Sequence, residues 1–249
     1  MGGVKGKKTG VVVGHGCFDG TEAEREILRQ ADVVVAADGG ARYAWEAGRR
    51  AEVVVGDGDS LGEALSEKET ERPAFLRGCR IVRVPREKDE TDLELALDEA
   101  VRLGCREVVF LGALGGRLDH TLANLQLLAA AAERGVKASL VDADRRVYLL
   151  AAGDTLKGGE SALDVLELSG RPGEYVSLLP VTPVAAGIWT EGLKYPLQGE
   201  DLYFGRARGV SNEFLAEQAR VCLTSGMLLV VVPGGSHDEL KNGKRRRDG

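Results

Sequence analysis

Short apolar runs rich in valine, each followed by glycine or aspartate, constrain this fold more than any other feature of the chain. They lie at 11–14, 33–37 and 53–55. Continuous β-branched runs are typical of strands buried on both faces, as in a parallel sheet. A helix is predicted after the first run, because Thr21 and Glu24 have the spacing of a capping box. A second helix is predicted after 33–37, ending at Gly48.

This alternation continues through about the first 150 residues. Further strands are predicted at 81–84, 107–111, 136–141 and 147–150. Helices are predicted from Thr91 to Gly104 and, as a charged surface helix, at 63–77. A long alanine- and leucine-rich helix is predicted after the 112–120 segment, through Leu122 and Ala132, and ends at Gly135. Strands that alternate with helices predict an α/β fold with a Rossmann-like open parallel sheet and helices on both faces.

Aspartates follow several of these predicted strands. They are Asp38, Asp57, Asp59, Asp89, Asp92 and Asp119. In open α/β sheets ligands bind outside the carboxyl ends of the strands, so these side chains are expected along one edge. Asp57 and Asp59, with only Gly58 between them, can direct two hard oxygen ligands at one divalent cation. Alone, that segment also fits an acidic turn, and Asp92 also fits an aspartate that complements a helix dipole.

The glycine-rich segment at 112–120 adds side chains that handle phosphate. Gly115 and Gly116 precede a predicted helix, so backbone N–H groups can approach an anion, and Arg117 can bind a phosphate bidentately. His120 and Asn124 lie four residues apart on one helix face. Carboxylates, glycine loops and an arginine together suit a magnesium-bound nucleoside triphosphate. The chain has no Walker A sequence, which leaves carboxylate-held Mg²⁺ as the main contact to the triphosphate.

The sequence pattern changes in the C-terminal part of the chain. Short apolar alternations separated by Pro, Gly and Ser occur at 175–179, 187–190, 202–204, 220–223 and 227–232. They predict an all-β domain, a sandwich or barrel. Domains are therefore predicted at 1–155 and 156–234, followed by a polar, basic tail at 235–249 that is expected to be disordered.

Composition excludes several classes of function. A net charge of −6 argues against non-specific binding of nucleic acid or an anionic membrane. The 4 cysteines have no C-x-x-C spacing, so neither a zinc knuckle nor a disulfide framework is expected. No segment has the pattern of a signal peptide or a bilayer-spanning helix, and the expected location is the cytoplasm.

Six short segments, in this order, resemble the thiamine pyrophosphokinase family. They are 38–41 (DGGA), 56–60 (GDGDS), 89–92 (DETD), 115–120 (GGRLDH) with Asn124, 191–197 (EGLKYPL) and 209–213 (GVSNE). The resemblance covers nearly all of 11–233. It implies a homodimer that transfers the β,γ-pyrophosphoryl group of ATP to the hydroxyl of thiamine, giving thiamine diphosphate and AMP.

The resemblance also implies roles for individual residues. The expected Mg²⁺ ligands are Asp57, Asp59 and Asp92. The expected ATP contacts are Asp38, Gly39, Gly40, Asp59, Ser60, Asp89, Thr91, Arg117, His120 and Asn124. The expected catalytic residues are Asp57, Asp92, Arg117 and Asp119, with the general base open among the three carboxylates. A thiamine pocket at the dimer interface is expected to contain Tyr195, Ser211 and Asn212.

Two other functions fit the predicted ATP site. A pyrophosphokinase acting on a pterin-like alcohol could share it, although segments 193–197 and 210–213 favour thiamine. A non-catalytic nucleotide sensor with a β interaction module is the second alternative, but a sensor needs no clustered metal ligands.

Overall fold

A computed structural model describes residues 8–57, 68–153 and 164–234. The helices are α1 (Glu22–Gln30), α2 (Gly40–Glu46), α3 (Asp92–Arg102) and α4 (Leu118–Glu133). The strands of the N-terminal part are β1 (Thr9–Val13), β2 (Val33–Ala37), β3 (Val53–Gly56), β4 (Arg80–Arg83), β5 (Glu107–Leu111), β6 (Lys137–Val141) and β7 (Arg145–Ala151). Those of the C-terminal part are β8 (Asp164–Ser169), β9 (Tyr175–Pro180), β10 (Val184–Glu191), β11 (Gln198–Tyr203), β12 (Asn212–Glu213), β13 (Gln218–Leu223) and β14 (Met227–Pro233).

The larger sheet is mixed rather than parallel throughout. Its 10 strands have the order β12-β9-β14-β7-β6-β5-β1-β2-β3-β4. From β6 to β4 all neighbours are parallel, which confirms the predicted parallel sheet for that part. β7 is antiparallel to β6, because residues 142–144 alone connect them and a parallel crossover needs a far longer connection.

Helices cover both faces of the parallel part, as predicted. α1 and α2 pack on one face, where Leu28 joins a core cluster with Val11. α3 and α4 pack on the other face, where Leu97 and Leu128 join a cluster with Val12. Successive strand residues point to opposite faces, so a strand covered on both sides is apolar at every position.

The C-terminal strands form a second sheet and also extend the first. β11-β10-β13-β8 is a separate antiparallel sheet, and residues such as Ile188, Val221 and Leu228 form the core between the two sheets. β14 pairs with β7 and with β9, so hydrogen bonding in the larger sheet continues across residue 155. The all-β character predicted for this part is confirmed for 164–234; the domain boundary itself stays a prediction.

The surface helix predicted at 63–77 is wrong over its described part. Residues 63–67 lie outside the described residues, and Glu69–Glu71 and Ala74–Leu76 form separate 3₁₀ turns. Pro73 lies between the turns, and a proline disfavours helical backbone at the residue before it. Arg72 accordingly has an extended conformation, with φ −70° and ψ 144°.

Two further expectations concern the tail and the membrane. The tail predicted at 235–249 lies outside the described residues. Within the three described ranges, no helix combines the length and the apolar character that crossing a bilayer requires.

Candidate active site

The strand order creates a switch point at the carboxyl edge of the sheet. β1 to β4 follow one another in one direction, and the chain then returns through α3, which packs over β1, β2 and β3, to place β5 on the other side of β1. Ligands of open α/β sheets bind at such points. Asp38 follows β2, Asp57 follows β3, and Asp92 begins α3.

These three aspartates form what we call the carboxylate cluster. One carboxylate oxygen of each lies within 4.8 Å of the others, with Asp38 buried and the other two partly buried. Like charges at this range repel unless a cation lies among them, and carboxylate oxygens are the ligands that Mg²⁺ prefers. The donor set therefore fits Mg²⁺. Of the expected ligands, Asp57 and Asp92 lie together, Asp38 joins them, and Asp59 and the expected ATP contact Ser60 lie outside the described residues.

Backbone geometry fixes the position of Asp38. Its φ of 44° is in the left-handed region, which aspartate tolerates better than most residues. Its N–H donates to the Val55 carbonyl at 2.9 Å, which ties it to β3. A Cβ atom on Gly56 would overlap Oδ1 of Asp38. Glycine at the end of β3 therefore leaves the space that the Asp38 carboxylate occupies.

Asp92 is held by its helix and by a lysine. Thr91 caps α3, with its Oγ1 accepting a hydrogen bond from the Glu94 N–H at 3.2 Å, as predicted. Lys88 Nζ donates to Asp92 Oδ1 at 2.6 Å, with side chains that are 12% and 25% exposed. Lys88 is not among the predicted site residues, although its i,i+4 spacing from Asp92 is a signal for an ion pair. Asp89, an expected ATP contact, is exposed beside it.

The other residues predicted to handle phosphate lie at the carboxyl end of β5. Gly115 and Gly116 have φ of 80° and 69°, which glycine adopts readily. Asn124 Nδ2 donates to the Ala113 carbonyl at 2.6 Å, so this expected ATP contact holds the loop to α4. Arg117 Nη2 donates to Asp119 Oδ2 at 2.6 Å, and both side chains are exposed. That hydrogen bond raises the pKa of Arg117 and lowers the pKa of Asp119.

Two expected ATP contacts, Gly39 and His120, follow β2 and β5, the strands on either side of β1. Gly39 follows Asp38, and its Cα faces the ring of His15, because an added Cβ would lie 2.6 Å from His15 Nε2. Gly40 begins α2 so close to β1 that a Cβ there would overlap the Val13 carbonyl. His120 is exposed in the first turn of α4.

In the C-terminal part, the structure brings Tyr195 and Asn212 together. The Asn212 side chain is 7% exposed. Its Oδ1 accepts hydrogen bonds from the N–H groups of Tyr195 (3.0 Å) and Glu213 (2.9 Å), and its Nδ2 donates to the Tyr195 carbonyl at 2.8 Å. The Tyr195 ring is 58% exposed, with Lys194 Nζ 5.5 Å from its centroid. Asn212 therefore holds the backbone that presents this ring.

Ser211 lies next to Asn212 in a strained backbone conformation. Its φ is 60°, and its N–H donates to Ser177 Oγ at 3.1 Å. This bond ties the turn that carries Ser211 to β9.

Family models match both parts of the chain. The model "Thiamin pyrophosphokinase, catalytic domain" matches residues 25–140, and "Thiamin pyrophosphokinase, vitamin B1 binding domain" matches residues 165–228. Thiamine pyrophosphokinase of Bacillus subtilis is 27% identical over 174 residues, which are 70% of this chain and 77% of that protein. Thiamin pyrophosphokinase 1 of Caenorhabditis elegans is 26% identical over 186 residues, which are 72% of this chain and 69% of that protein.

Solved structures agree with these matches. A thiamin pyrophosphokinase family protein from Enterococcus faecalis superposes with a TM-score of 0.70 at 27% identity, covering 93% of this chain and 100% of that one. Thiamine pyrophosphokinase from Bacillus subtilis has a TM-score of 0.73 at 23% identity, covering 91% and 99%, and supports the fold. With both family models matched in chain order and the fold shared, this chain belongs to the thiamine pyrophosphokinase family.

Proposed function

We propose that this protein transfers the pyrophosphoryl group of ATP to the hydroxyl of thiamine, giving thiamine diphosphate and AMP. The observation that carries the proposal is the carboxylate cluster at the switch point of the catalytic family domain, in a chain that also matches the vitamin B1 binding domain. The second match disfavours a pterin-like acceptor. The cluster disfavours a non-catalytic sensor, because such a protein has no need for converging metal ligands.

We propose Mg²⁺ as the metal, held by Asp38, Asp57 and Asp92, with Asp59 retained as a predicted ligand. When bound, Mg²⁺ would screen the phosphate charges during transfer. Ser60 and the backbone N–H groups of the loops after β2 and β5 are proposed to contact the triphosphate.

The proposed reaction is an in-line attack of the thiamine hydroxyl on the β-phosphorus, with AMP as leaving group. Arg117 is exposed, so it can leave Asp119 and stabilise negative charge on the phosphoryl group. The attacking hydroxyl must lose its proton to a carboxylate, Asp57, Asp92 or Asp119.

We further propose a homodimer with the thiamine pocket at its interface. Large side chains in the C-terminal part are exposed, which suits a surface that a second subunit covers. They include Trp189, Tyr195, Tyr203 and Phe204. Tyr195 could stack on the pyrimidine ring or attract the thiazolium cation. A cytoplasmic location fits cysteines that form no disulfide within the described part of the chain, because disulfides are rare in that compartment.

One assay tests the activity. Purified protein is incubated with ATP and MgCl₂, with and without thiamine, and AMP and thiamine diphosphate are quantified. We expect both products in a 1:1 ratio, only with thiamine, and no product after EDTA until Mg²⁺ is restored. AMP formed equally without thiamine, or formed faster with a pterin alcohol, would contradict the proposal. Light scattering of the same sample tests the dimer.

A further inference from the structure

Lys88 points inward from a segment that is otherwise exposed. Glu87, Asp89 and Glu90 are exposed, whereas the Lys88 side chain is 12% exposed. An ammonium group seldom leaves water to this extent unless it is paired with an opposite charge. Its partner is Asp92 Oδ1, at 2.6 Å. The lysine thus occupies one oxygen of a carboxylate that belongs to the carboxylate cluster.

This pairing has opposite consequences for a free cation and for a cation with a polyanion. A Mg²⁺ ion bound to Asp92 would lie within a few ångströms of the ammonium, so the two positive charges would repel each other. With a triphosphate the effect of Lys88 on binding becomes favourable, because the negatively charged oxygens are attracted to both the metal and the lysine. Lys88 should therefore weaken the binding of Mg²⁺ alone and strengthen the binding of Mg²⁺ in complex with a triphosphate.

We propose that Lys88 makes the carboxylate cluster select the magnesium–triphosphate complex over free Mg²⁺. Lys88 pairs with Asp92 and is placed to contact a phosphate oxygen of the complex, so it acts as a binding residue for the triphosphate. This inference rests on the proposed function only in taking ATP as the triphosphate.

The test compares the unaltered protein with Lys88→Met in two calorimetric titrations. The first uses MgCl₂ alone, and we expect Lys88→Met to bind Mg²⁺ about tenfold more tightly, since a unit charge at this range changes ion binding by about that factor. The second uses α,β-methylene-ATP with saturating MgCl₂, an analogue that cannot be cleaved at the reacting bond. Here we expect about tenfold weaker binding, because an ammonium–phosphate contact is lost.

The opposite signs separate this role from a structural one. Lys88→Arg keeps the positive charge, so both of its affinities should match those of the unaltered protein. Lys137→Met, at an exposed lysine on β6, is the matched control and should change neither affinity. If Lys88→Met does not fold, as judged by circular dichroism, Lys88→Gln replaces it.

Several results would overturn the proposal. They are Mg²⁺ binding that is unchanged or weaker in the neutral variant, analogue binding that is unchanged or tighter, and an unaltered protein that fails to bind the analogue. The MgCl₂ titration requires neither ATP turnover nor thiamine. Failure of this inference and failure of the proposed reaction are therefore distinguishable.

Discussion

The two halves of the molecule use their buried polar side chains in different ways. At the carboxyl edge of the parallel strands, Asp38, Asp57 and Asp92 direct like charges towards one point. In the C-terminal part, Asn212 directs three hydrogen bonds at backbone groups of its own chain. The first arrangement suits a bound cation, whereas the hydrogen bonds of the second stay within the chain and leave the Tyr195 ring exposed.

Substitutions in the two halves should therefore affect different properties of the protein. Removing a carboxylate from the cluster removes a metal ligand, so the main loss should be of activity. Removing Asn212 leaves partly buried backbone groups without these hydrogen bonds, so stability and presentation of the ring should fall together.

The largest expected effect is that of Asp57→Asn and, separately, Asp92→Asn. Each variant should lose AMP formation by about a thousandfold at every Mg²⁺ concentration, because one charged metal ligand is lost. Circular dichroism should show that Asp57→Asn still folds, so that its lost activity reports the loss of a metal ligand. Glu133→Gln, at an exposed residue of α4, is the control. Near-normal activity of both variants would contradict the assignment of the carboxylate cluster as a metal site.

Gly56→Ala tests whether the cluster depends on its backbone. The new methyl group would overlap Asp38 Oδ1 and displace that carboxylate. We expect about a hundredfold lower activity, the scale of a 1 Å misplacement, and a stability cost of about 1–3 kcal/mol. Gly135→Ala is the matched control for Gly56→Ala, because Gly135 has a φ of 71° but no atom lies near its Cβ position. It should lose about 1 kcal/mol of stability and keep its activity.

Sequence patterns predicted the parallel strands well because burial on both faces demands an apolar side chain at every position. β2 (Val33–Ala37) and β5 (Glu107–Leu111) match their predicted bounds. The pairing of β7 with β14 could not be predicted, because local patterns do not specify a partner so distant in sequence. β8 (Asp164–Ser169) was missed because it lies at the edge of its sheet and carries the exposed Val165 and Glu167 among its residues.

For the candidate site, the sequence indicated the edge but not the distances. Strand ends identified Asp38, Asp57 and Asp92 as neighbours, since parallel strands share one carboxyl edge. Which carboxylates converge depends on the turn at Asp38 and the space at Gly56, and these are properties of the folded backbone. Asn212 was expected to contact the vitamin, and its hydrogen bonds to Tyr195 depend on a long-range pairing that no local pattern reveals.

Asn212→Ala should have an intermediate effect, which combines a loss of stability with weaker use of thiamine. Loss of its hydrogen bonds should cost about 1–3 kcal/mol of stability. The loosened Tyr195 segment should raise KM for thiamine about tenfold, equivalent to about 1.4 kcal/mol. KM for ATP should stay unchanged, and steady-state kinetics with each substrate varied would show the split. Tyr195→Ala, which removes the ring and keeps Asn212, should raise KM for thiamine without the same loss of stability. Equal effects on both KM values would show that the two halves of the molecule are coupled.

The smallest effect concerns Glu99, which joins α3 to β4 through Arg80 and lies 2.8 Å from Arg102 Nη2. Burial alone would raise the pKa of Glu99, but the hydrogen bonds from Arg102 and Arg80 outweigh it and hold the pKa below 4.5. A carboxyl whose pKa is lowered by folding contributes stability above its unfolded pKa and loses it as pH falls through the folded value. Glu99→Gln should therefore cost about 0.5 kcal/mol near neutral pH, and the cost should shrink as pH falls below 4.5.

Urea unfolding of Glu99→Gln at neutral and acidic pH measures this change, with the exposed Glu46→Gln as a pH-independent control. AMP formation should not change, because Asp92 is positioned by the start of α3 and by Lys88 rather than by this ion pair. A marked loss of activity would contradict that view. It would mean that the carboxylate cluster also relies on distant side-chain contacts, as Tyr195 relies on Asn212, and the contrast between the two halves would no longer hold.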